Sequence, residues 1–167
     1  SVIAHLLSRS EFYTAYPPYQ PEISQGTLQY IFDYQSMISE LNGMECTNAS
    51  MYDGATATAE AMFMMVASAK KKNRVVISAT VADRVINVVK TYAKFRGIDL
   101  TVAPEKDGVS DFDAIKAELE AGDVAGVIVA TPNKYGIVED YTDYADTIHA
   151  AKGMLAINAD PSALAVL

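Results

Sequence analysis

The chain has 167 residues, of which half are hydrophobic and a fifth are charged, so it can bury the core of one domain of ordinary size. Its net charge of −8 argues against nucleic acid or an anionic membrane as a partner, because both are bound through basic surfaces. The single cysteine, Cys46, forms no internal disulfide, and no Cys and His cluster has metal-ligand spacing, so a cytoplasmic protein without a metal site is expected. No apolar run reaches the about 20 residues that span a bilayer.

The two ends of the chain are both apolar. The chain begins at Ser1, beside the stretch Val2–Leu7, and stops in Ala163–Leu167, without a polar tail at either end. The ends of complete domains are usually polar and poorly ordered. We therefore expect the chain to be a fragment of a longer polypeptide.

The first distinctive feature is the segment Tyr13–Glu22, which contains three prolines and three tyrosines. Prolines suppress helix and favour an extended, polyproline-like path. Tyrosines supply rigid amphipathic contact area, which suits a subunit interface or the wall of a binding tunnel. A surface linker with half-buried tyrosines would show the same pattern, and these residues alone leave both interpretations open.

Two helices are predicted next, followed by alternating strands and helices. The first helix begins at Ser24 and is ended by Gly43. The second begins near Asp53 and is rich in Ala and Met, so its methionines 62, 64 and 65 are expected in the core. The later elements are a strand at 75–77, a helix at 82–96, a strand at 98–102, a helix from Ser110 through Glu120, a strand at 124–129, a helix at 141–152 and a strand at 154–158.

The predicted strands are apolar continuously rather than at every second residue. Continuous apolar strands that alternate with helices predict a three-layer α/β fold, in which helices cover both faces of a mostly parallel sheet. We therefore divide the chain into an extended segment over residues 1–23 and an α/β domain over residues 24–167. Ligands of such sheets bind beyond the carboxyl ends of the strands, so the loops after the strands are the candidate site.

The start of the second helix is the first candidate. Asp53, Gly54, Ala55 and Thr56 are small or polar residues at a position where free backbone amides and the helix dipole can hold a phosphate. A simple helix cap, with Asp53 or Ser50 accepting the amide bonds and Gly54 chosen for close packing, explains the same residues. Asp53 favours the cap, since its carboxylate already occupies the electropositive helix start.

Two further candidates follow strands. Asn133 comes after the strand 124–129, where its amide could point into the crevice, although Pro132 and Gly136 around it are also typical of a turn, with Glu139 and Asp140 capping the next helix. Asp160 follows the last strand, where a carboxylate could contact the ring nitrogen of a pyridine cofactor, although Asp-Pro is also an ordinary turn.

Three stretches together resemble the glycine-cleavage P-protein family. They are YTAYPPYQPEISQG at residues 13–26, NASMYDGATA at 48–57 and TPNKYGIVED at 131–140. The resemblance covers the whole chain and is to subunit 1 of the two-subunit form of this family. It implies the large domain of a pyridoxal-phosphate-dependent transferase of fold type I, the aspartate-aminotransferase-like fold, present here as a fragment.

The resemblance also implies which of the two subunits carries the cofactor and the catalytic residues. In this family pyridoxal phosphate serves as the electron sink for decarboxylation of glycine, and the aminomethyl group passes to the lipoyl arm of the H-protein. The cofactor and its lysine belong to subunit 2, so no catalytic residue is expected on this chain, and Asp53, Gly54, Ala55, Thr56, Asn133 and Asp160 would line a degenerate cofactor pocket. The residues expected at the interface with subunit 2 and the entrance of its active site are Tyr16, Tyr19, Gln20, Pro21, Glu22, Ser24, Gln25 and Gly26.

Two alternative functions fit the residues less well. A self-sufficient pyridoxal-phosphate aminotransferase or lyase would need a cofactor lysine some tens of residues after Asp160, and the chain ends seven residues beyond it. A Rossmann-like nucleotide-binding module is disfavoured by the acidic helix start at Asp53 and by the lack of a Gly-x-Gly-x-x-Gly motif.

Overall fold

The computed structural model of the chain describes residues 1–12 and 17–165. The chain packs as two compact units, residues 1–50 and 51–167. The first unit therefore includes the helix at Gln25–Asn42, which the sequence analysis placed in the α/β domain. Across the described parts of both units, no helix is both long and apolar enough to cross a bilayer.

The first unit is helical. It contains α1 (Val2–Leu7), a short 3-10 helix (Ser10–Phe12) and α2 (Gln25–Asn42). The predicted helix between Ser24 and Gly43 is confirmed. Gly43 ends it in the left-handed conformation, with a φ of 64°, which glycine adopts without the penalty that a Cβ atom would bring.

The predicted extended path of residues 1–23 is wrong where the structure describes them. Residues 2–7 are helical, and the segment after Pro17 folds into turns: the Tyr19 amide donates to the Pro17 carbonyl over 2.8 Å, and the Ser24 amide to the Gln20 carbonyl over 3.0 Å. Proline lacks an N–H but fits a turn as readily as an extended path. Tyr16 lies outside the described residues, within 13–16.

The second unit contains the alternating strands and helices. They are α3 (Gly54–Ser68), β1 (Arg74–Ser78), α4 (Asp83–Arg96), β2 (Asp99–Ala103), β3 (Glu105–Lys106), β4 (Val109–Ser110), α5 (Phe112–Glu120), β5 (Val124–Thr131), α6 (Thr142–Ala150) and β6 (Met154–Ala159), followed by a 3-10 helix (Pro161–Ala165). Every strand and helix predicted over residues 53–158 has a counterpart here.

The main sheet has four strands in the order β2-β1-β5-β6, and every neighbouring pair is parallel. The predicted α/β fold with a parallel sheet is therefore confirmed. The prediction that a helix opens at Ser110 is wrong: Ser110 pairs with Glu105 in the antiparallel β3–β4 hairpin, and Asp111 caps α5 by accepting from the Ala114 amide over 3.1 Å.

Helices cover both faces of this sheet. Residues of α3 and α4 pack with β1 and β5 in one buried apolar cluster, and residues of α5 and α6 pack with β1 and β5 in a second. β5 is buried along its whole length, whereas β2 and β6 are partly exposed. The continuous apolar pattern thus indicates full burial correctly for the central strands but not for these two.

α3 lies unusually close to the sheet. A Cβ atom at Gly126 of β5 would lie 2.5 Å from the Met65 sulfur and 2.7 Å from the Met154 carbonyl oxygen, so this strand position requires glycine. Met62 and Met65 of α3 are buried as predicted, but Met64 is 67% exposed. Its prediction as a core residue is wrong because a helix this rich in Ala and Met does not reveal its inner face by periodicity.

Candidate functional site

The start of α3 is capped by the side chain of the residue that precedes it, Asp53. The Asp53 carboxylate accepts a hydrogen bond from the Thr56 amide over 2.7 Å, and this backbone bond holds the pKa of Asp53 below its usual value. The capping interpretation of Asp53 is thereby confirmed. Close packing does not explain Gly54, because an added Cβ would meet only the Asn158 side chain at 4.0 Å.

The first turn of α3 is also attached to the sheet. The Asn158 amide nitrogen on β6 donates to the Thr58 hydroxyl over 2.6 Å and to the Gly54 carbonyl over 3.4 Å. The Thr58 hydroxyl in turn donates to the Gly54 carbonyl over 2.7 Å. These bonds fix the start of α3 beside the carboxyl end of β6, which is the place that the sequence analysis selected.

Asn133 builds a turn and offers no free polar atom. It is 5% exposed, and its amide nitrogen donates to the Gly108 carbonyl and to the Glu139 carboxylate, each over 2.9 Å. Its carbonyl oxygen accepts from the Tyr135 amide over 2.9 Å and from the Ile137 amide over 3.1 Å. Both hydrogens and both lone pairs of the side chain are therefore used, three of the bonds within its own loop and one to Gly108 of the β3–β4 hairpin. The expected cap of the next helix by Glu139 is wrong, because its carboxylate accepts from Asn133 and from the Ser110 amide instead.

The Asp160 side chain bonds to a residue two positions further along the chain. Its carboxylate accepts from the Ser162 hydroxyl over 2.7 Å and from the Ser162 amide over 3.0 Å, and these bonds lower the pKa of Asp160. Its own amide donates to the Thr131 carbonyl over 3.1 Å. Within residues 17–165, no hydrogen bond joins Asp53, Asn133 and Asp160 to one another, and each side chain stabilises the segment that carries it.

The same loops contain a buried polar cluster for which the sequence gives no signal. The hydroxyls of Ser78, Thr80 and Ser110 lie 2.8 to 3.0 Å from one another. Glu139 joins this cluster to Asn133, because its carboxylate also accepts from the Ser110 amide over 2.9 Å. The loops after β1, β2 and β5 are thus tied together by side chains that are remote in sequence.

The end of β5 and the loop that follows it also carry an unpaired hydroxyl and an ion pair, respectively. The Lys134 ammonium lies 3.2 Å from the Glu105 carboxylate, which also accepts from the Tyr135 hydroxyl; that bond lowers the pKa of Glu105. The Thr131 hydroxyl is buried without a hydrogen-bond partner in the described chain. The same part of the chain holds no group of three or more His, Cys, Asp or Glu that could bind a metal ion.

These residues do not fit the phosphate of a pyridoxal cofactor. A phosphate at a helix start binds free backbone amides at the positive end of the dipole. At α3 the Thr56 amide is bonded to Asp53, and the Asp53 carboxylate places a negative charge where the phosphate would lie. Asn133 likewise has no group left to bind a ring.

The predicted interface residues that the structure describes lie around the start of α2. Tyr19 is 86% exposed, whereas Ser24 and Gly26 are buried. A shallow groove of about 520 Å³ is lined by Pro21, Glu22, Gln25, Leu28, Gln29 and Phe32. The structure thus brings Pro21, Glu22 and Gln25 to one surface.

The fold and the position of this site define the class of protein. A parallel sheet between two layers of helices, with its polar loops at the carboxyl ends of the strands, is a doubly wound α/β domain. A crystal structure of glycine decarboxylase (P-protein) of the glycine cleavage system, in inhibitor-bound form, matches 99% of the chain with a TM-score of 0.86 and 38% identity. The predicted pyridoxal-phosphate-dependent transferase fold is therefore confirmed.

Sequence comparisons give the family. The family model described as glycine cleavage system P-protein matches residues 1–167. The chain is 51% identical over its whole length to the probable glycine dehydrogenase (decarboxylating) subunit 1 of Anoxybacillus flavithermus, and 48% identical over 99% of its length to that of Bacillus subtilis. The chain belongs to the glycine cleavage system P-protein family. It spans 37% of the length of these relatives and of the matching crystal structure.

Proposed function

We propose that this chain is part of subunit 1 of a cytoplasmic glycine decarboxylase. This subunit works with a second subunit in decarboxylating glycine and passing the aminomethyl group to the lipoyl H-protein. The observation that carries the proposal is the match of the entire chain, at about half identity, to relatives named as subunit 1 of glycine dehydrogenase (decarboxylating).

We further propose that pyridoxal phosphate is held by subunit 2 and that this chain contributes no catalytic residue. Three features support this division. The Asp53 carboxylate occupies the helix start where the phosphate would bind, Asn133 has all its hydrogen-bonding groups engaged, and Asp160 caps its own turn. The polar loops at this sheet edge then serve as a rigid framework rather than as a reaction centre.

The role proposed for residues 16–26 is to face subunit 2 at the entrance of its active site. The high exposure of Tyr19 and the groove that Pro21, Glu22 and Gln25 line support this role. An aromatic side chain that is almost wholly exposed in one polypeptide is typical of a contact with another.

The test uses full-length subunit 1, subunit 2, lipoyl H-protein and pyridoxal phosphate, with release of labelled CO₂ from glycine as the readout. We expect decarboxylation only when both subunits are present, and borohydride to fix the cofactor to a lysine of subunit 2 alone. A cofactor fixed by borohydride to one stoichiometric lysine of isolated subunit 1 would contradict the proposal that subunit 2 holds the cofactor. It would instead support the alternative of a self-sufficient pyridoxal-phosphate enzyme.

A second arm tests the interface segment. Alanine at Tyr16, Tyr19 and Gln20 together should reduce assembly or decarboxylation, whereas alanine at Asn87, an exposed polar residue of α4, should leave both unchanged. Unaltered activity and assembly in the triple variant would refute the role of this segment.

A further inference from the structure

The C-terminal end of α2 carries a dipeptide that is chemically labile. Asn42, the last residue of the helix, is followed by Gly43, and none of the other five asparagines of the chain precedes a glycine. The backbone nitrogen that follows an asparagine can attack the carbon of its side-chain amide, and a Cβ atom on the attacking residue hinders that approach. Glycine has no Cβ atom. Among the asparagines of this chain, Asn42 therefore faces the least hindered backbone nitrogen.

The surroundings of Gly43 leave room for this attack. A Cβ atom placed on Gly43 would meet no described part of the chain within 4 Å, apart from its two neighbours. The Gly43 amide is shared between the Ser39 and Glu40 carbonyls in the last turn of α2, and it lies 3.4 Å from the second of them. A hydrogen bond of this length is weak. Only local bonds of the helix end therefore hold the nitrogen in place.

The Asn42 side chain is held by one bond of the same helical turn. Its amide nitrogen donates to the Ile38 carbonyl over 2.9 Å. The attack requires this bond to break and the Asn42 backbone to leave its helical conformation, because the Gly43 nitrogen must turn towards the side-chain carbon. Helix ends fray, and such local opening costs far less free energy than the unfolding of a core element. The opening that the reaction needs is thus confined to the last turn of α2.

Asn133 shows the opposite arrangement and serves as the matched control. Its side chain is 5% exposed and makes four hydrogen bonds. The nitrogen that would attack it belongs to Lys134, whose amide donates to the Thr80 carbonyl over 2.8 Å. Attack at Asn133 would therefore require the loops after two different strands to separate. We expect this opening to be much rarer than fraying at Asn42.

We propose that Asn42 is a site of spontaneous deamidation. The Gly43 nitrogen forms a bond to Asn42 Cγ, the bond from Cγ to the side-chain nitrogen breaks, and that nitrogen leaves as ammonia with the proton of the Gly43 amide. Water then opens the resulting succinimide at either of its two carbonyl carbons. The product at position 42 is an aspartate or an isoaspartate, and water is the only other reactant. This proposal does not rest on the proposed function.

The product places a negative charge where α2 is least suited to hold one. The C-terminal end of a helix is the negative end of its dipole, so a carboxylate there is unfavourable. The last turn of α2 contains Glu40 and no basic residue that would offset the new charge. The donor to the Ile38 carbonyl is lost as well. Deamidation at Asn42 therefore loosens the last turn of α2.

The first test follows deamidation in the folded, full-length subunit. The protein is incubated at neutral and at mildly alkaline pH, and peptide mass spectrometry distinguishes the amide from the two carboxyl products. We expect Asn42 to deamidate at least about tenfold faster than Asn133. The rate should rise with pH, because loss of the Gly43 amide proton promotes the attack. Asn42→Gln keeps an amide and a good helix former but lengthens the side chain, so it should give almost no product.

Amide hydrogen exchange measures the consequence for the helix. Aged unchanged protein and fresh Asn42→Asp should both exchange faster in the last turn of α2 than fresh unchanged protein does. The amides of β5, which is buried along its length, should exchange equally slowly in all three samples. Asn42→Gln that is aged in the same way should exchange as it does when fresh, which separates deamidation from other effects of storage.

The remaining outcomes overturn the proposal. Deamidation at Asn42 that is no faster than at Asn133 refutes the site. If Asn42 then reacts quickly in urea, the folded protein keeps Gly43 from attacking, through the helix end itself or through another part of the polypeptide. Deamidation that leaves hydrogen exchange in α2 unchanged refutes the loosening of the helix.

Discussion

Replacing Asn133 should destabilise the loops at the carboxyl edge of the sheet. In Asn133→Ala, the Glu139 carboxylate and the Gly108 carbonyl each lose a donor at 2.9 Å. A lost bond to a charged group costs about 1.5–3 kcal/mol and one to a neutral group about 0.5–1.5 kcal/mol, so the free energy of unfolding should fall by about 2–4 kcal/mol. The Tyr135 and Ile137 amides add less, because water can reach these exposed residues.

Asn133→Asp removes the hydrogen-bond donors of this side chain but keeps its acceptors. The carboxylate can still accept from the Tyr135 and Ile137 amides, but it cannot donate and faces Glu139 across a hydrogen-bond distance. At neutral pH we therefore expect Asn133→Asp to be less stable than Asn133→Ala.

The assay is urea unfolding of the full-length subunit at neutral pH, followed by circular dichroism. Asn87→Ala is the control, because Asn87 is exposed on α4 and should change the stability by less than about 0.5 kcal/mol. The reasoning fails if Asn133→Ala behaves like Asn87→Ala, or if Asn133→Asp is as stable as Asn133→Ala or more stable.

Two other predictions concern the framework of the site. Gly126→Ala should lower the free energy of unfolding by about 1–3 kcal/mol, because the new methyl group would overlap Met65 and the Met154 carbonyl; thermal unfolding equal to that of the unchanged protein would contradict the close packing. The hydrogen bonds from Thr142 lower the pKa of Asp140. The ionised Asp140 side chain therefore stabilises the folded protein fully above its ordinary pKa of 3.8, and this stabilisation is lost as the pH falls through the lowered pKa. The free energy of unfolding of Asp140→Asn should therefore approach that of the unchanged protein in acid. A difference between the two that stays constant with pH would exclude a contribution from the lowered pKa of Asp140.

The sequence predicted the second unit well because its signals are local. An apolar run such as Val75–Ile77 defines a strand without reference to the rest of the chain, and Gly43 and Asp53 specify a helix end and a helix start by their own conformation and side chain. The hairpin that contains Ser110 has only two residues in each strand. Such short strands give no periodic pattern, so the sequence predicts that the helix opens at Ser110 although its cap is Asp111.

The polar cluster could not be predicted for a different reason. Glu139 meets Ser110 across 29 positions, and Asn133 meets Gly108 across 25. Pairs so distant in sequence become neighbours only when the order of the strands is known, and one sequence does not give that order. The loops themselves were identified correctly, because their position follows from parallel strands ending at a common edge.

The cap at Asp53 has a consequence for how the domain responds to its surroundings. A helix start that relies on a bound anion is stabilised in proportion to the logarithm of the free anion concentration. Here the protein supplies the anion itself, at 2.7 Å from the Thr56 amide. The first turn of α3 can therefore form as soon as the chain folds, because its cap belongs to the chain itself and not to a bound anion.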